Sequence, residues 1–94
     1  MAVGSIELVE VGPRDGLQNE SDIICTADKL ALIERMIGYG ARRIEVASFV
    51  HPARVPQMAD AEAVIAGLPD DPACTYIGLV LNKRGLLRAL ATRE

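Results

Sequence analysis

The sequence contains no tryptophan, one phenylalanine and two tyrosines among 94 residues, so it lacks the aromatic platforms on which bases stack. Positive charge is equally thin: ten Lys and Arg stand against thirteen Asp and Glu, a net charge of −3. Arg42-Arg43 is an isolated pair and not a basic face, and nucleic acid is therefore not an expected partner. No apolar run approaches the roughly 20 residues that a spanning helix needs, so no membrane passage is expected. Residues 1–10 lack both the basic and long apolar regions of a secretory signal and the Arg-rich pattern of a transit peptide, which leaves a cytoplasmic location as the expectation. Cys25 and Cys74 are far apart, and His51 is the single histidine. Without a C-x-x-C spacing or further histidines, neither a zinc site nor a redox motif is supported, and both cysteines are expected to be reduced packing residues.

What remains is an ordinary globular composition, 50% hydrophobic and 24% charged. Residues 6–11, Ile-Glu-Leu-Val-Glu-Val, are aliphatic and β-branched and stop at Gly12-Pro13, the pattern of a strand and its end. Residues 14–24 carry Gly16, Asn19 and Asp22 without helical periodicity. Thr26 then offers an N-cap to a helix whose apolar positions are Ala27, Leu30, Ile33 and Ile37, ended by Gly38 and Gly40. A second short strand is expected over 43–47, and a helix whose Met58, Ala61, Ile65 and Leu68 share one stripe follows. Residues 75–81 read as a third strand, near-continuously apolar as in parallel strands covered on both faces. Asn82 can cap a last helix through Leu86, Leu87 and Leu90.

The order β-α-β-α-β-α places strands near positions 6, 43 and 75, about 35 residues per unit, close to one-eighth of a typical barrel. The expected architecture is α/β with parallel strands, the first three units of a (β/α)8 barrel, with residues 1–94 forming an incomplete part of one domain. Three same-handed units leave one sheet face and both edges uncovered. Ile6, Leu8, Ile44, Val46, Ile77 and Leu79 lie partly on such a face, and the chain is expected to associate with itself or with further units.

The chemistry concentrates in residues 9–20, Val-Glu-Val-Gly-Pro-Arg-Asp-Gly-Leu-Gln-Asn-Glu. Arg14 and Asp15 follow the end of a strand, where parallel-sheet folds gather their functional groups. Asp is a hard oxygen ligand suited to Mg²⁺ or Mn²⁺. Arg is a permanent cation whose planar fork suits a carboxylate or a developing oxyanion. The same residues are also compatible with a plain turn held by an Asp side chain beside a solvated Arg.

Residues 12–20, Gly-Pro-Arg-Asp-Gly-Leu-Gln-Asn-Glu, resemble the strand-one motif of the 3-hydroxy-3-methylglutaryl-CoA lyases. Ile-Glu-Val-Ala-Ser-Phe-Val at 44–50 and Val-Pro-Gln-Met-Ala-Asp at 55–60 are similar to that family too, and residues 78–85 more loosely. The wider group of barrel metalloenzymes, including isopropylmalate and homocitrate synthases, shares the Arg-Asp-Gly core; Leu-Gln-Asn-Glu resembles the lyase branch.

The resemblance implies a divalent cation, Mg²⁺ or Mn²⁺, coordinated by Asp15, and an Arg14 that stabilises the enolate oxygen formed when a carbon-carbon bond breaks. It implies an acyl-CoA substrate lying near Gln18, Glu45 and Ser48. From the residues themselves, Glu45 is equally compatible with an ion pair to Arg14 or Arg43, and Ser48 with a cap. His51 matches no ligand of the family and is expected to be exposed. The family completes its site with a His-x-His pair, an Asn and a catalytic cysteine from later strands and loops; none of these occurs in residues 1–94, and Cys25 and Cys74 do not match that cysteine. The 94-residue chain alone is therefore expected to bind metal weakly and to lack lyase activity. A related acyl-CoA lyase, a condensing synthase of the same group and a non-catalytic self-associating half-barrel are the alternatives.

Overall fold

Two parallel strands, β1 (Arg43–Ser48) and β2 (Thr75–Leu79), form the sheet of the computed structural model, which describes residues 4 and 6–92. Parallel neighbours require a crossover, and it is supplied by a 3-10 turn, Pro56–Met58, and a six-residue helix α2, Ala61–Ala66. Helix α1 (Thr26–Gly38) precedes β1 and α3 (Lys83–Leu90) follows β2. The ladder pairs Arg43 with Thr75 and Ser48 with Leu79 but shifts register between Glu45 and Ala47. An extra residue of this kind bends and twists a strand locally, and here Val46, Ala47 and Ser48 are all buried in succession.

The expected strand over 6–11 is reduced to one parallel bridge, Glu10 opposite Ile44. In it the Glu10 N–H donates to Arg43 O and the Glu45 N–H donates to Glu10 O, both at 2.9 Å. Register explains the shortfall. With Glu10 opposite Ile44, Leu8 falls opposite Arg42, so residues 6–8 lie ahead of the strand that would pair them. Ile6 and Leu8 are accordingly 88% and 84% exposed.

The core gathers Ile33 of α1, Ile44, Val46 and Ala47 of β1, Phe49, and Ala61, Val64, Ile65 and Leu68 from α2 and its continuation. Met58, Ala61, Ile65 and Leu68 do share a buried face. The stripe, however, begins in the 3-10 turn and ends beyond the helix, because α2 itself is only six residues long. Gly40 adopts φ +99° just past α1, a left-handed conformation that glycine enters without a steric penalty, so the chain reverses there into β1.

Four expectations are corrected. Cys25, and not Thr26, is the N-cap of α1; the Thr26 hydroxyl instead donates to Asp60 Oδ2 at 2.5 Å. Cys25 is exposed and so does not pack the core, whereas Cys74 is half-buried, and burial followed by the Asp71 charge pushes its thiol pKa up. Ala27 is exposed, and the buried position of that first turn is Lys29. Finally, β2 is not covered on both faces: it ends at Leu79, and Tyr76, Ile77 and Leu79 are only half-buried because β1 is its sole neighbour among the described residues.

Asn82 caps α3 as its position suggests, its Oδ1 accepting from the Gly85 N–H at 2.8 Å. Leu86, Leu87 and Leu90 nevertheless turn outward, 47%, 58% and 72% exposed. The helix docks instead through Gly85, where a Cβ would lie 2.4 Å from Phe49 O, and through Arg88. The Arg88 guanidinium donates twice to Glu62 at 2.7 Å and once to Val50 O at 3.0 Å, and it lies 5.5 Å from the Phe49 ring centroid. The Arg88 hydrogen bond holds the Glu62 carboxyl below its ordinary value, against a burial effect that raises it. A lowered carboxylate contributes stability that is present above its unfolded value and lost as pH falls through its folded one. Acid unfolding of the wild type should therefore steepen below about pH 4.3, and Glu62→Gln should flatten that part of the profile; equal slopes would show that the pair contributes nothing. Among the described residues no helix is long and apolar enough to cross a membrane.

Candidate active site

The segment after Glu10 is wound, not extended. Gly12–Gly16 forms a single wide turn in which Val11 O accepts from the N–H groups of Arg14, Asp15 and Gly16 at 3.2, 2.7 and 3.2 Å. Pro13 is buried at its start, where a missing N–H costs nothing. Gly12 is held closely, since a Cβ there would meet Met36 Cε at 3.0 Å and Glu10 Oε1 at 3.1 Å. Five residues built around one acceptor carbonyl leave no periodic trace in a sequence, which is why 14–24 reads as irregular.

Winding decides where the side chains go. Adjacent side chains at an extended strand end diverge, but here Arg14 Nη1 lies 3.7 Å from Asp15 Oδ1. The guanidinium is fixed by Glu45 of β1, whose Oε1 accepts from Arg14 Nε at 2.8 Å and stands 2.7 Å from Nη2. Both partners are mostly buried, 18% and 22% exposed, so the pair is screened by salt less than a surface ion pair. Between the two ion-pair partners open to Glu45, the structure has Arg14; Arg43 meets Glu7 instead, at 3.5 Å. A guanidinium has five N–H donors, and with one edge on Glu45 its Nη1 end stays directed to the side of Asp15.

Asp15 is 53% exposed. Its Oδ1 accepts from Asn19 Nδ2 at 3.0 Å, and the same amide donates to Asp15 O at 2.8 Å. These contacts orient the carboxylate without enclosing it. Two other expected site residues share a different property. Gln18 Oε1 and Ser48 Oγ are buried and have no hydrogen-bond partner among the described residues. Ser48, at 0% exposure the last residue of β1, therefore caps no helix. An unmet buried polar atom costs about 1–3 kcal/mol, so both oxygens are primed for a partner. His51 is exposed, and its Nδ1 accepts from the Ala53 N–H at 3.2 Å. Among the described residues no three His, Cys, Asp or Glu side chains cluster as a metal site.

One charged cluster escapes a sequence reading. Lys29, 2% exposed, donates to Gln57 O and to Asp60 Oδ1, the latter at 2.5 Å, while Asp60 Oδ2 takes the Thr26 hydroxyl. The available signal was its spacing, since Lys29, Ile33 and Ile37 follow one another at i, i+4 on the buried side of α1.

No protein-family model matches the chain. Among curated proteins it is 49% identical over 85 residues to the 3-hydroxy-3-isohexenylglutaryl-CoA/hydroxy-methylglutaryl-CoA lyase of Pseudomonas aeruginosa, a match covering 90% of this chain and 28% of that protein. Among solved structures, the HMG-CoA lyase of Brucella melitensis superposes with a TM-score of 0.88 at 46% identity, covering 95% of this chain and 31% of that one. An HMG-CoA lyase from Acinetobacter baumannii, in complex with coenzyme A and 3-methylmalate, superposes at 0.85 and 40% identity, covering 89% and 28%. The chain thus spans between a quarter and a third of the length of the relatives it matches. Within that span its parallel β/α units are those of the lyases' (β/α)8 barrel.

Proposed function

We propose that this chain, which over the segment it spans is similar to the hydroxymethylglutaryl-CoA lyases, supplies one wall of the active site of a carbon-carbon lyase that cleaves 3-hydroxy-3-methylglutaryl-CoA to acetyl-CoA and acetoacetate. The observation that carries the reading is the Arg14 guanidinium, clamped by Glu45 beside the exposed Asp15 carboxylate at the mouth of the sheet.

In such a cleavage the tertiary hydroxyl of the substrate loses its proton, its oxygen becomes the ketone of acetoacetate, and the carbon-carbon bond breaks. The electron pair of that bond passes into the thioester enolate, which a proton converts to acetyl-CoA. Negative charge therefore develops on the thioester oxygen, and a fixed cation aimed at it stabilises the transition state more than the ground state. Arg14 is suited to this task because Glu45 has already fixed its orientation, so little reorganisation is needed as charge appears. Gln18 and Ser48 fit as hydrogen-bonding contacts to the substrate, since each has a buried oxygen lacking a partner among the described residues.

A divalent cation such as Mg²⁺ or Mn²⁺ would supply Lewis acidity at the substrate hydroxyl. Asp15 fits as one of its ligands, being a hard oxygen donor held by Asn19 yet open on its other side. One carboxylate does not fill an octahedral shell of about six ligands, so tight binding requires donors from outside residues 1–94. Arg14 and Asp15 would meet only the reacting centre; the longer isohexenyl chain named for the Pseudomonas aeruginosa relative makes a 3-substituted 3-hydroxyglutaryl-CoA the broader substrate class. A cytoplasmic location belongs to the same proposal.

The test is acetoacetate release from 3-hydroxy-3-methylglutaryl-CoA with Mg²⁺ present. The complete barrel carrying this segment should be active, its Asp15→Asn variant should lose at least about 10²-fold in kcat, and the 94-residue chain alone should be inactive. Full activity in the Asp15→Asn barrel would contradict the assignment.

A further inference from the structure

Two loops leave the same end of the sheet, and a buried lysine links the second to α1. Lys29 comes from the first turns of α1 and is 2% exposed. Its ammonium reaches across to Gln57 O and Asp60 Oδ1, both in the 51–60 connection that follows β1. The second Asp60 oxygen is occupied by the Thr26 hydroxyl. Burying an ammonium is unfavourable compared with burying an apolar side chain of the same size, and what such a pair supplies is a fixed geometry.

That geometry continues. With its backbone carbonyl held by Lys29, Gln57 points its side-chain amide at the other loop, where Nε2 donates to Glu20 O at 2.7 Å. Glu20 ends the segment that begins at Gly12, and its own N–H donates to Leu17 O at 3.2 Å. The path from Lys29 through Gln57 to Glu20 therefore joins the 51–60 loop to the turn that carries Arg14, Asp15 and Gln18. A second hydrogen-bonded tie to this turn from a distant part of the chain is the Arg14–Glu45 pair.

We infer that Lys29 and Gln57 are positioning residues for the Arg14–Asp15 turn, coupling the two loops so that they hold one arrangement together. Neither touches the reacting groups. Their importance for chemistry rests on the lyase reading above, but the coupling itself is a property of the apo chain and is tested without metal or substrate.

The experiment is hydrogen exchange by NMR on the 94-residue chain, comparing wild type, Gln57→Leu and Lys29→Met. Three sets of protons are followed: the amides of Asp15 and Gly16, the Arg14 Nε–H bonded to Glu45, and the Phe49 N–H bonded to Leu79 O as a reference in the sheet. Gln57→Leu should speed exchange at Asp15, Gly16 and Arg14 Nε–H by about fivefold, the change expected when one hydrogen bond of ordinary strength is removed, with Phe49 unchanged. Lys29→Met should act on the same protons in the same direction. If Lys29→Met fails to fold, Gln57→Leu decides alone, because it leaves the Lys29–Asp60 pair intact. Exchange unchanged at 14–16, or rising equally at Phe49, would overturn the coupling. The lyase reading would survive that result, and loss of activity in the barrel assay would leave the coupling standing.

Discussion

Arg14→Met, in the complete barrel, is expected to lower kcat for 3-hydroxy-3-methylglutaryl-CoA cleavage by about 10²- to 10³-fold, the loss typical when one donor to a developing oxyanion is removed. The effect should fall on kcat and kcat/KM together, because the interaction is made in the transition state and hardly at all in the ground state. Arg14→Lys should recover little. An ammonium cannot reproduce the edge-on contact in which Nε and Nη2 share Glu45 Oε1 while Nη1 is directed toward Asp15. Glu45→Gln should show a smaller loss, since Arg14 keeps its charge but loses the carboxylate that fixes its direction. Steady-state kinetics on the three variants separates these effects. A raised KM with unchanged kcat for Arg14→Met would assign Arg14 to uniform substrate binding and not to enolate stabilisation.

The largest effect on the fold itself belongs to Ile44→Ala. Ile44, the second residue of β1, is 0% exposed, pairs with Tyr76 of β2 and is the residue opposite which Glu10 bridges. Truncating a fully buried isoleucine costs about 2–5 kcal/mol, against a total stability for a domain of about 5–15 kcal/mol. Urea unfolding should show a lower midpoint with little change in slope. A midpoint close to wild type would mean that β1 is not the keel of this segment. Ile33→Ala, its fully buried counterpart on α1, should behave similarly.

How much of this was legible in the sequence follows from what kind of signal each feature leaves. The parallel order, β1, the Met58-Ala61-Ile65-Leu68 face and the Asn82 cap depend on local periodicity and local chemistry, and they stand where the pattern put them. The first strand read correctly as aliphatic and β-branched, yet pairing depends on register with a partner, and only Glu10 meets one. Leu86, Leu87 and Leu90 of α3 face outward, because the helix docks through Gly85 and Arg88 on Phe49 and Val50. Lys29 was hidden because its burial is explained only by Asp60 and Gln57, 31 and 28 residues away.

For the site, the motif at 12–20 identified Arg14 and Asp15 as the residues of interest, while their convergence came from the wound turn around Val11 O. Glu45 had Arg14 and Arg43 as possible ion-pair partners on the sequence, and its strand position facing that turn gives the pair with Arg14. Gln18 and Ser48 were expected near a substrate through resemblance alone. What the structure adds is that their side-chain oxygens are buried and lack a hydrogen-bond partner among the described residues.

The proposed lyase chemistry requires Asp15 to be the place where a hard cation meets this chain. Titrating Mn²⁺ into the isotopically labelled 94-residue chain and following paramagnetic broadening reads that directly. Broadening should begin at the amides of Asp15 and Asn19 and disappear in Asp15→Asn. Broadening centred on the acidic pair Asp70-Asp71, with Asp15 and Asn19 untouched, would contradict it.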